Sequence, residues 1–201
     1  MKENKMGNIE FVDSNGKPII KSSDNPFPES FYFDKLYEEA EYKKFIKNTE
    51  RLIRPSKEYR TYIEQLRGTV SALNVDNILS YITSNDAELE FHHYPFSLYD
   101  IVDIVVLQNF FDMKDFTSFD ISKEIMELHY ENLIGLVPLS TTNHELAHAG
   151  ELFLSSKQIF GDYKAFMARY PEGISADLRE KITEMEEFSD KNKPTDAKGL
   201  L

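Results

Sequence analysis

The chain has 201 residues and a formal net charge of −12, with 41% hydrophobic and 29% charged residues. This composition is typical of one soluble globular domain with a sizeable core. No apolar run reaches the roughly 18 residues of a membrane span, and the N-terminus lacks a signal peptide's apolar segment, so a cytoplasmic protein is expected. The absence of cysteine excludes disulfides, thiolate zinc sites and cysteine nucleophiles. Any metal ion must therefore be held by nitrogen and oxygen atoms.

The charge is unevenly distributed along the chain. Residues 41–70 carry eight Lys and Arg against four Asp and Glu, whereas residues 71–151 carry two against fourteen. An acidic surface repels phosphate and weakens non-specific binding to nucleic acid. This distribution argues against a protein that acts on DNA, and it suits binding of a protein partner through the acidic surface.

The ends of the chain are expected to differ from its middle. Apolar residues on both sides of Asn15-Gly16 predict a small hairpin, followed by a proline-containing linker, so that residues 1–30 form an N-terminal hairpin and linker. Residues 31–189 are predicted to form a single globular domain. The polar residues 190–201 are predicted to form a flexible tail.

Helical spacing of apolar residues, interrupted by capping residues and prolines, predicts a mainly helical domain. The predicted helices span residues 34–52, 57–66 with Ser56 as cap, 97–107 with a capping box from Ser97 to Asp100, 116–132 capped by Ser118 or Asp120, 162–170 and 175–188. The helix after Ser97 is apolar on nearly all sides and is predicted to lie at the centre of the core. Two short strands are predicted at residues 88–93 and 133–139. A helix capped by Thr141 or Thr142 is predicted to begin at His144.

The second helix carries three basic residues, Lys57, Arg60 and Arg67. The ordinary interpretation of such residues is a solvated helix face. The alternative is that they contact a DNA backbone.

The five histidines all fall between residues 92 and 148, and four of them form two pairs. His92 and His93 end the first strand, while His144 and His148 are four residues apart, which places both imidazoles on one face of a helix. Imidazole is a common metal ligand and titrates near neutral pH. The pattern predicts a metal site with a general base beside it. Chance clustering is the alternative, and His129 is interpreted as a partly buried helix residue.

Residues 144–148 match the H-E-x-x-H signature of zinc proteases, in which two histidines bind zinc and the glutamate activates water. The residues before the motif are typical of a helix start, however, and Thr142 with Glu145 forms a capping box. A third zinc ligand would have to be Glu151 or a later acid. The protease interpretation leaves His92 and His93 without a role.

A strand that ends in His-His, a short strand and a helix with histidines at i and i+4 together resemble the HNH, or ββα-metal, endonucleases. The resemblance covers residues 88–150 and implies an α+β, mainly helical fold with a ββα-metal core and a helical insertion between the histidine pairs. It implies that His92, His144 and His148 bind one divalent ion (Zn, Ni, Mn or Mg) and that His93 deprotonates water. Residues 95–100 and 135–148 also resemble bacteriophage proteins.

One family position differs in this chain. The family's central Asn falls on Gly135, so its supporting role would pass to Asn132 or Asn143. The sequence therefore predicts a metal-dependent endonuclease that hydrolyses DNA phosphodiester bonds, with a water deprotonated near neutral pH and a cation beside the scissile phosphate. The alternative is a catalytically inactive, metal-stabilised structural or protein-binding phage module, and a zinc protease is the third hypothesis.

Overall fold

A computed structural model describes residues 36–192. In this range the protein is mainly helical with one two-stranded antiparallel sheet, which confirms the predicted α+β class. The elements in chain order are α1 (Glu39–Ile53), α2 (Lys57–Thr69), β1 (Leu89–His93), α3 (Leu98–Phe111), α4 (Ser118–Tyr130), β2 (Leu136–Ser140), α5 (Thr141–His148), α6 (Tyr163–Arg169) and α7 (Ala176–Lys191). The predicted N-terminal hairpin and linker lie outside the described residues. In residues 36–192, no helix is both long and apolar enough to cross a membrane.

Helix α3 is the centre of the core, as its sequence predicts. Its Ser97 cap accepts a hydrogen bond from the Asp100 N–H, and the Asp100 carboxylate accepts one from the Ser97 N–H at 2.9 Å. Val102 and Val105 are completely buried, and α3 packs against both α1 and α4. An apolar surface on most sides of a helix requires neighbours on most sides.

Helices α1, α2 and α4 complete the core beneath the sheet. Ser56 caps α2 by accepting the Tyr59 N–H, as predicted. The N-cap of α4 is Thr117 and neither Ser118 nor Asp120: the Thr117 side chain accepts from the Asp120 N–H, and the Asp120 carboxylate accepts from the Thr117 N–H. A capping box has a polar residue at each end, and only the register of the helix shows which one is the cap.

The strands β1 and β2 pair antiparallel, with Leu89 opposite Ser140 and His93 opposite Leu136. Residues 94–135, which include α3 and α4, lie between them, so helices separate the two histidine pairs along the chain, as predicted. Helix α5 follows β2 directly and contacts both strands. The order of these elements along the chain is therefore β, β, α, with the insertion between the strands.

Helix α5 begins at Thr141, three residues before the predicted start at His144. Its N-cap is Ser140, and that side chain makes no capping hydrogen bond. Thr142 thus lies inside the first turn, and the predicted capping box with Glu145 does not form. At the other end of the domain α7 continues to Lys191, so its last residues fall in the predicted tail, of which residues 193–201 lie outside the described part.

Candidate metal centre

The structure brings three of the five histidines together at the junction of the sheet and α5. His92 comes from β1, and His144 and His148 come from successive turns of α5. One side-chain nitrogen of each lies within 4.8 Å of the others, and this is the one group of potential metal ligands found within residues 36–192. We call these residues the histidine trio. These are the three residues that the sequence predicts as metal ligands.

The spacing of the two helix histidines suits a shared ion. The Nε2 atoms of His144 and His148 are 3.2 Å apart. Two nitrogens bound to one tetrahedral zinc ion at about 2.0–2.1 Å are about 3.3 Å from each other. The two Nε2 atoms are therefore already at the distance that coordination of one ion requires.

Glu90 lies beside the trio on the same face of β1 as His92, because side chains two residues apart in a strand point the same way. Its Oε2 accepts a short hydrogen bond from Nδ1 of His144. The side chain of Glu90 is 40% exposed and that of His144 is 19% exposed. Glu90 belongs to no recognisable motif, and the signal that could have identified it is the alternation of residues 88, 90 and 92, which places it on the strand face of His92.

Burial favours the neutral forms of His92 and His144. Burial, together with the neighbouring His148 and His144, lowers the pKa of His92 to about 4. Burial also lowers the pKa of His144, although the Glu90 carboxylate acts in the opposite direction. Neutral imidazole is the form that binds metal. Nδ1 of His92 is buried and has no hydrogen-bond partner among the described residues, and such an atom costs free energy unless another ligand satisfies it.

Asp76, which no sequence motif marks, fixes the start of α5. This buried carboxylate accepts the N–H groups of Ile78 and Leu79 at 2.7 Å each and that of Ser140 at 2.5 Å. It also accepts the side-chain amide of Asn143 at 3.0 Å. Burial alone would raise the pKa of Asp76, but these hydrogen bonds hold it below its usual value. Asn143, predicted as a supporting residue, lies in α5 itself. Its hydrogen bond to Asp76 helps to hold the helix that carries His144 and His148.

Gly135, where the HNH endonucleases have an asparagine, has a steric explanation. A Cβ atom on Gly135 would lie 2.0 Å from the carbonyl oxygen of Tyr94, so the chain admits only glycine where it crosses the end of β1. The other predicted supporting residue, Asn132, has φ of 55° at the turn after α4. The backbone of Asn132 is hydrogen-bonded to His129 and Asp162, neither of which belongs to the trio.

His93, the predicted general base, is not brought to the trio. It is the next residue after His92 in β1, so its side chain points to the opposite face of the strand, where only 7% of it is exposed. There its Nε2 lies 3.1 Å from Nε2 of His129, and its ring stacks on Tyr59. His129, predicted to be partly buried, is completely buried. We call His93 and His129 the buried pair.

The hydrogen bonds of the buried pair define its protonation. Nδ1 of His129 donates to the carbonyl oxygen of Ile125 at 2.8 Å, so Nε2 of the neutral ring is an acceptor. Nε2 of His93 must then be the donor between the two rings. Burial lowers the pKa of His129 to about 4 and holds that of His93 well below its ordinary value. In this arrangement Nε2 of His93 has no free lone pair to remove a proton from water.

The predicted DNA-backbone residues have different surroundings. Lys57 and Arg60 are exposed on α2. Arg67 instead donates to the carbonyl oxygen of Leu89 and lies over the ring of Phe91, 5.2 Å from its centroid. Arg67 therefore anchors β1. A cleft of about 480 Å³ between α2 and β1 is lined by Arg54, Arg60, Glu64, Arg67, Glu88, Glu90 and His144, with apolar residues between them.

Glu145, the glutamate of the H-E-x-x-H motif, is not a member of the trio. Glu145 is exposed on α5. The histidine that joins His144 and His148 comes from β1, so the third member of the trio is not Glu151 or another downstream acid.

Comparison with known proteins gives one family. No curated protein matches the chain, and no solved structure matches it. The family model for the bacteriophage G278-like virion protein matches residues 2–201. It supports the predicted phage origin and gives no support to an HNH nuclease. The chain belongs to the bacteriophage G278-like virion protein family.

Proposed function

We propose that this chain is a structural module of the phage particle, stabilised by one divalent metal ion bound to His92, His144 and His148. The observation that carries the proposal is the convergence of three imidazole nitrogens within 4.8 Å, contributed by β1 and α5. The family's description as a virion protein supports a role in the particle.

The chemistry of the trio favours a transition metal. Imidazole nitrogens suit zinc, nickel and copper, whereas magnesium and calcium prefer oxygen ligands. We therefore expect zinc or nickel to bind more tightly than manganese or magnesium. An ion held by both β1 and α5 would link two elements that are about fifty residues apart in sequence, and its binding free energy would add to the free energy of folding.

Metal titration with a matched pair of variants tests the proposal. Metal-free protein is titrated with zinc, nickel, manganese or magnesium while binding and melting temperature are followed. We expect one equivalent of zinc to bind and to add about 2.7 kcal/mol to the unfolding free energy at a free concentration of about one hundred times Kd. His148→Ala should lose this gain. Glu145→Gln, which changes an exposed residue of the same helix, should retain it.

Either of two results would refute the proposal: an absence of saturable one-to-one binding, or wild-type affinity in His148→Ala. The Glu145→Gln variant also tests the protease hypothesis. A metal-dependent peptidase activity that this variant abolished would favour the protease over the structural role.

An HNH-type nuclease is the second candidate, favoured by the β, β, α order and by the cleft beside His144. Exposed Arg54 and Arg60 line that cleft and could bind a phosphate group next to the ion. The buried location of His93 argues against its predicted role as base. Incubation with supercoiled plasmid, each metal and a chelator control tests this candidate. Nicking that requires metal and disappears in His148→Ala would establish the nuclease, and an inert protein that metal stabilises would support the structural module.

A further inference from the structure

We propose that Glu90 is a positioning residue of the metal centre, whose carboxylate selects the tautomer and orientation in which His144 binds metal. This inference rests on the proposed metal site. It gives Glu90 a role in setting the affinity of that site without being a ligand itself.

The two nitrogens of the His144 ring face different partners. Nδ1 is hydrogen-bonded to Oε2 of Glu90, and Nε2 faces Nε2 of His148 at 3.2 Å. A neutral imidazole carries one proton, and an ionised carboxylate can only accept. The proton of His144 is therefore held on Nδ1. The lone pair of its Nε2 is directed at the trio, where it accepts a hydrogen bond from Nε2 of His148.

Glu90 is placed to support the trio and not to join it. Among the described residues, the ligand atoms that lie within 4.8 Å of one another belong to the three histidines, and no Glu90 oxygen is in the group. A carboxylate hydrogen-bonded to the far nitrogen of a ligating histidine fixes the ring and raises its basicity. The contact between Glu90 and His144 has this form.

The strand that carries Glu90 is held on both sides of it. Arg67 donates to the carbonyl oxygen of Leu89 and covers the ring of Phe91. These contacts limit the motion of β1 at Glu90 itself. The carboxylate therefore meets His144 from an anchored backbone, which is what precise orientation of a metal ligand requires.

The first test is the zinc affinity of three variants, measured by competition with a chromophoric chelator. Glu90→Ala removes the acceptor, and outer-shell partners of this kind contribute about 10- to 100-fold in metal affinity, so its Kd should rise by that factor. Glu90→Gln keeps a neutral acceptor and should lie between Glu90→Ala and wild type. Glu88→Ala is the matched control, because it removes the same charge from the same cleft at an exposed position. Its Kd should rise by less than about threefold, since screened charges act weakly.

The second test needs no metal. Nitrogen-15 NMR of the metal-free protein, at a pH where His144 is neutral, shows which ring nitrogen carries the proton. We expect protonation at Nδ1 in wild type and in Glu88→Ala. In Glu90→Ala we expect a mixture containing the Nε2-protonated tautomer.

The two tests separate failure of this inference from failure of the proposed metal site. Zinc that binds wild type and Glu90→Ala equally well would overturn the role of Glu90 and leave the metal site intact. Wild-type His144 protonated at Nε2 would also overturn it. An absence of zinc binding by every form would refute the proposed metal site, and this inference with it.

Discussion

The histidine trio and the buried pair lie on opposite faces of the same strand and use neighbouring residues of the sequence. His92 points to α5 and converges with two other imidazoles. His93 points into the core, where its hydrogen bond to His129 satisfies Nε2 of both rings. Adjacent residues of a strand face opposite sides of the sheet. A His-His pair in a strand therefore supplies one residue to each of two environments, and its two members need separate explanations.

The two groups differ in what each could still bind. The trio contains an exposed residue, His148, and a buried nitrogen without a partner on His92. The buried pair has an internal donor and acceptor at each contact, and Tyr59 and Tyr62 pack around His129. The hydrogen-bonding groups of the pair are thus satisfied inside the protein, as those of buried polar side chains normally are. Ligand binding is therefore expected at the trio, and structural stabilisation at the pair.

Removal of His129 should have the largest effect and should separate the two groups. His129→Ala leaves the N–H of His93 and the carbonyl of Ile125 without this partner and opens a cavity beside two tyrosines. We expect the unfolding free energy to fall by about 3–5 kcal/mol, measured by urea denaturation of metal-free protein. The milder His129→Gln provides a second variant if the first does not fold.

The same variant should leave the trio's zinc affinity nearly unchanged, because effects at independent sites are additive to within about 0.5 kcal/mol. A loss of zinc binding in a folded His129 variant would show that the pair and the trio act as one site. That result would contradict the division between them.

Acid should destabilise the protein through the buried pair. The pKa of His129 falls from about 6.5 in the unfolded chain to about 4 in the folded protein because of burial. The contribution of neutral His129 to the unfolding free energy is therefore at its full value above about pH 6.5 and is lost as the pH falls towards 4. The whole loss is about 3 kcal/mol. His93 acts in the same direction, as does His92 of the trio, whose pKa burial also lowers to about 4.

Urea unfolding in chelator at about pH 7, 6 and 5 measures this dependence. Each histidine that is protonated only in the unfolded state contributes a slope of about 1.4 kcal/mol per pH unit. His129→Gln should show a smaller slope than wild type. Equal slopes would mean that His129 is already charged in the folded protein.

Substitution of Asp76 should affect the trio and spare the pair. Asp76→Asn places an amide donor among backbone N–H groups that need an acceptor, so we expect a loss of about 2–3 kcal/mol. Because Asp76 also fixes the first turn of α5, zinc affinity should fall. The control is Asp86→Asn, since Asp86 is exposed and its carboxylate accepts from the N–H and the hydroxyl of Thr83. A loss of about 1 kcal/mol or less is expected there, with unchanged zinc binding.

Much of the fold could be predicted from local pattern. The apolar run after Ser97 and its capping box with Asp100 predicted α3 and its central position, and both are confirmed. Boundaries were less accurate, because they depend on contacts made at a distance. The start of α5 is the example: its first turn is held by Asp76, which is separated from Ser140 by 64 residues, and no local pattern shows that contact.

Residue types and their spacing showed which side chains could bind metal: the imidazoles of two strand-end histidines and of two histidines at helical i, i+4 spacing, with no thiolate to compete. They also predicted the helices between the two pairs. Which of these histidines meet depends on tertiary packing. The pairing of β1 with β2 brings His92 to α5, the packing of α4 against α2 brings His129 into the core beside His93, and Glu90 and Asp76 acquire their partners through the same long-range packing. Local spacing fixes the direction of a side chain along its own element, whereas the partner that it meets depends on how distant elements pack.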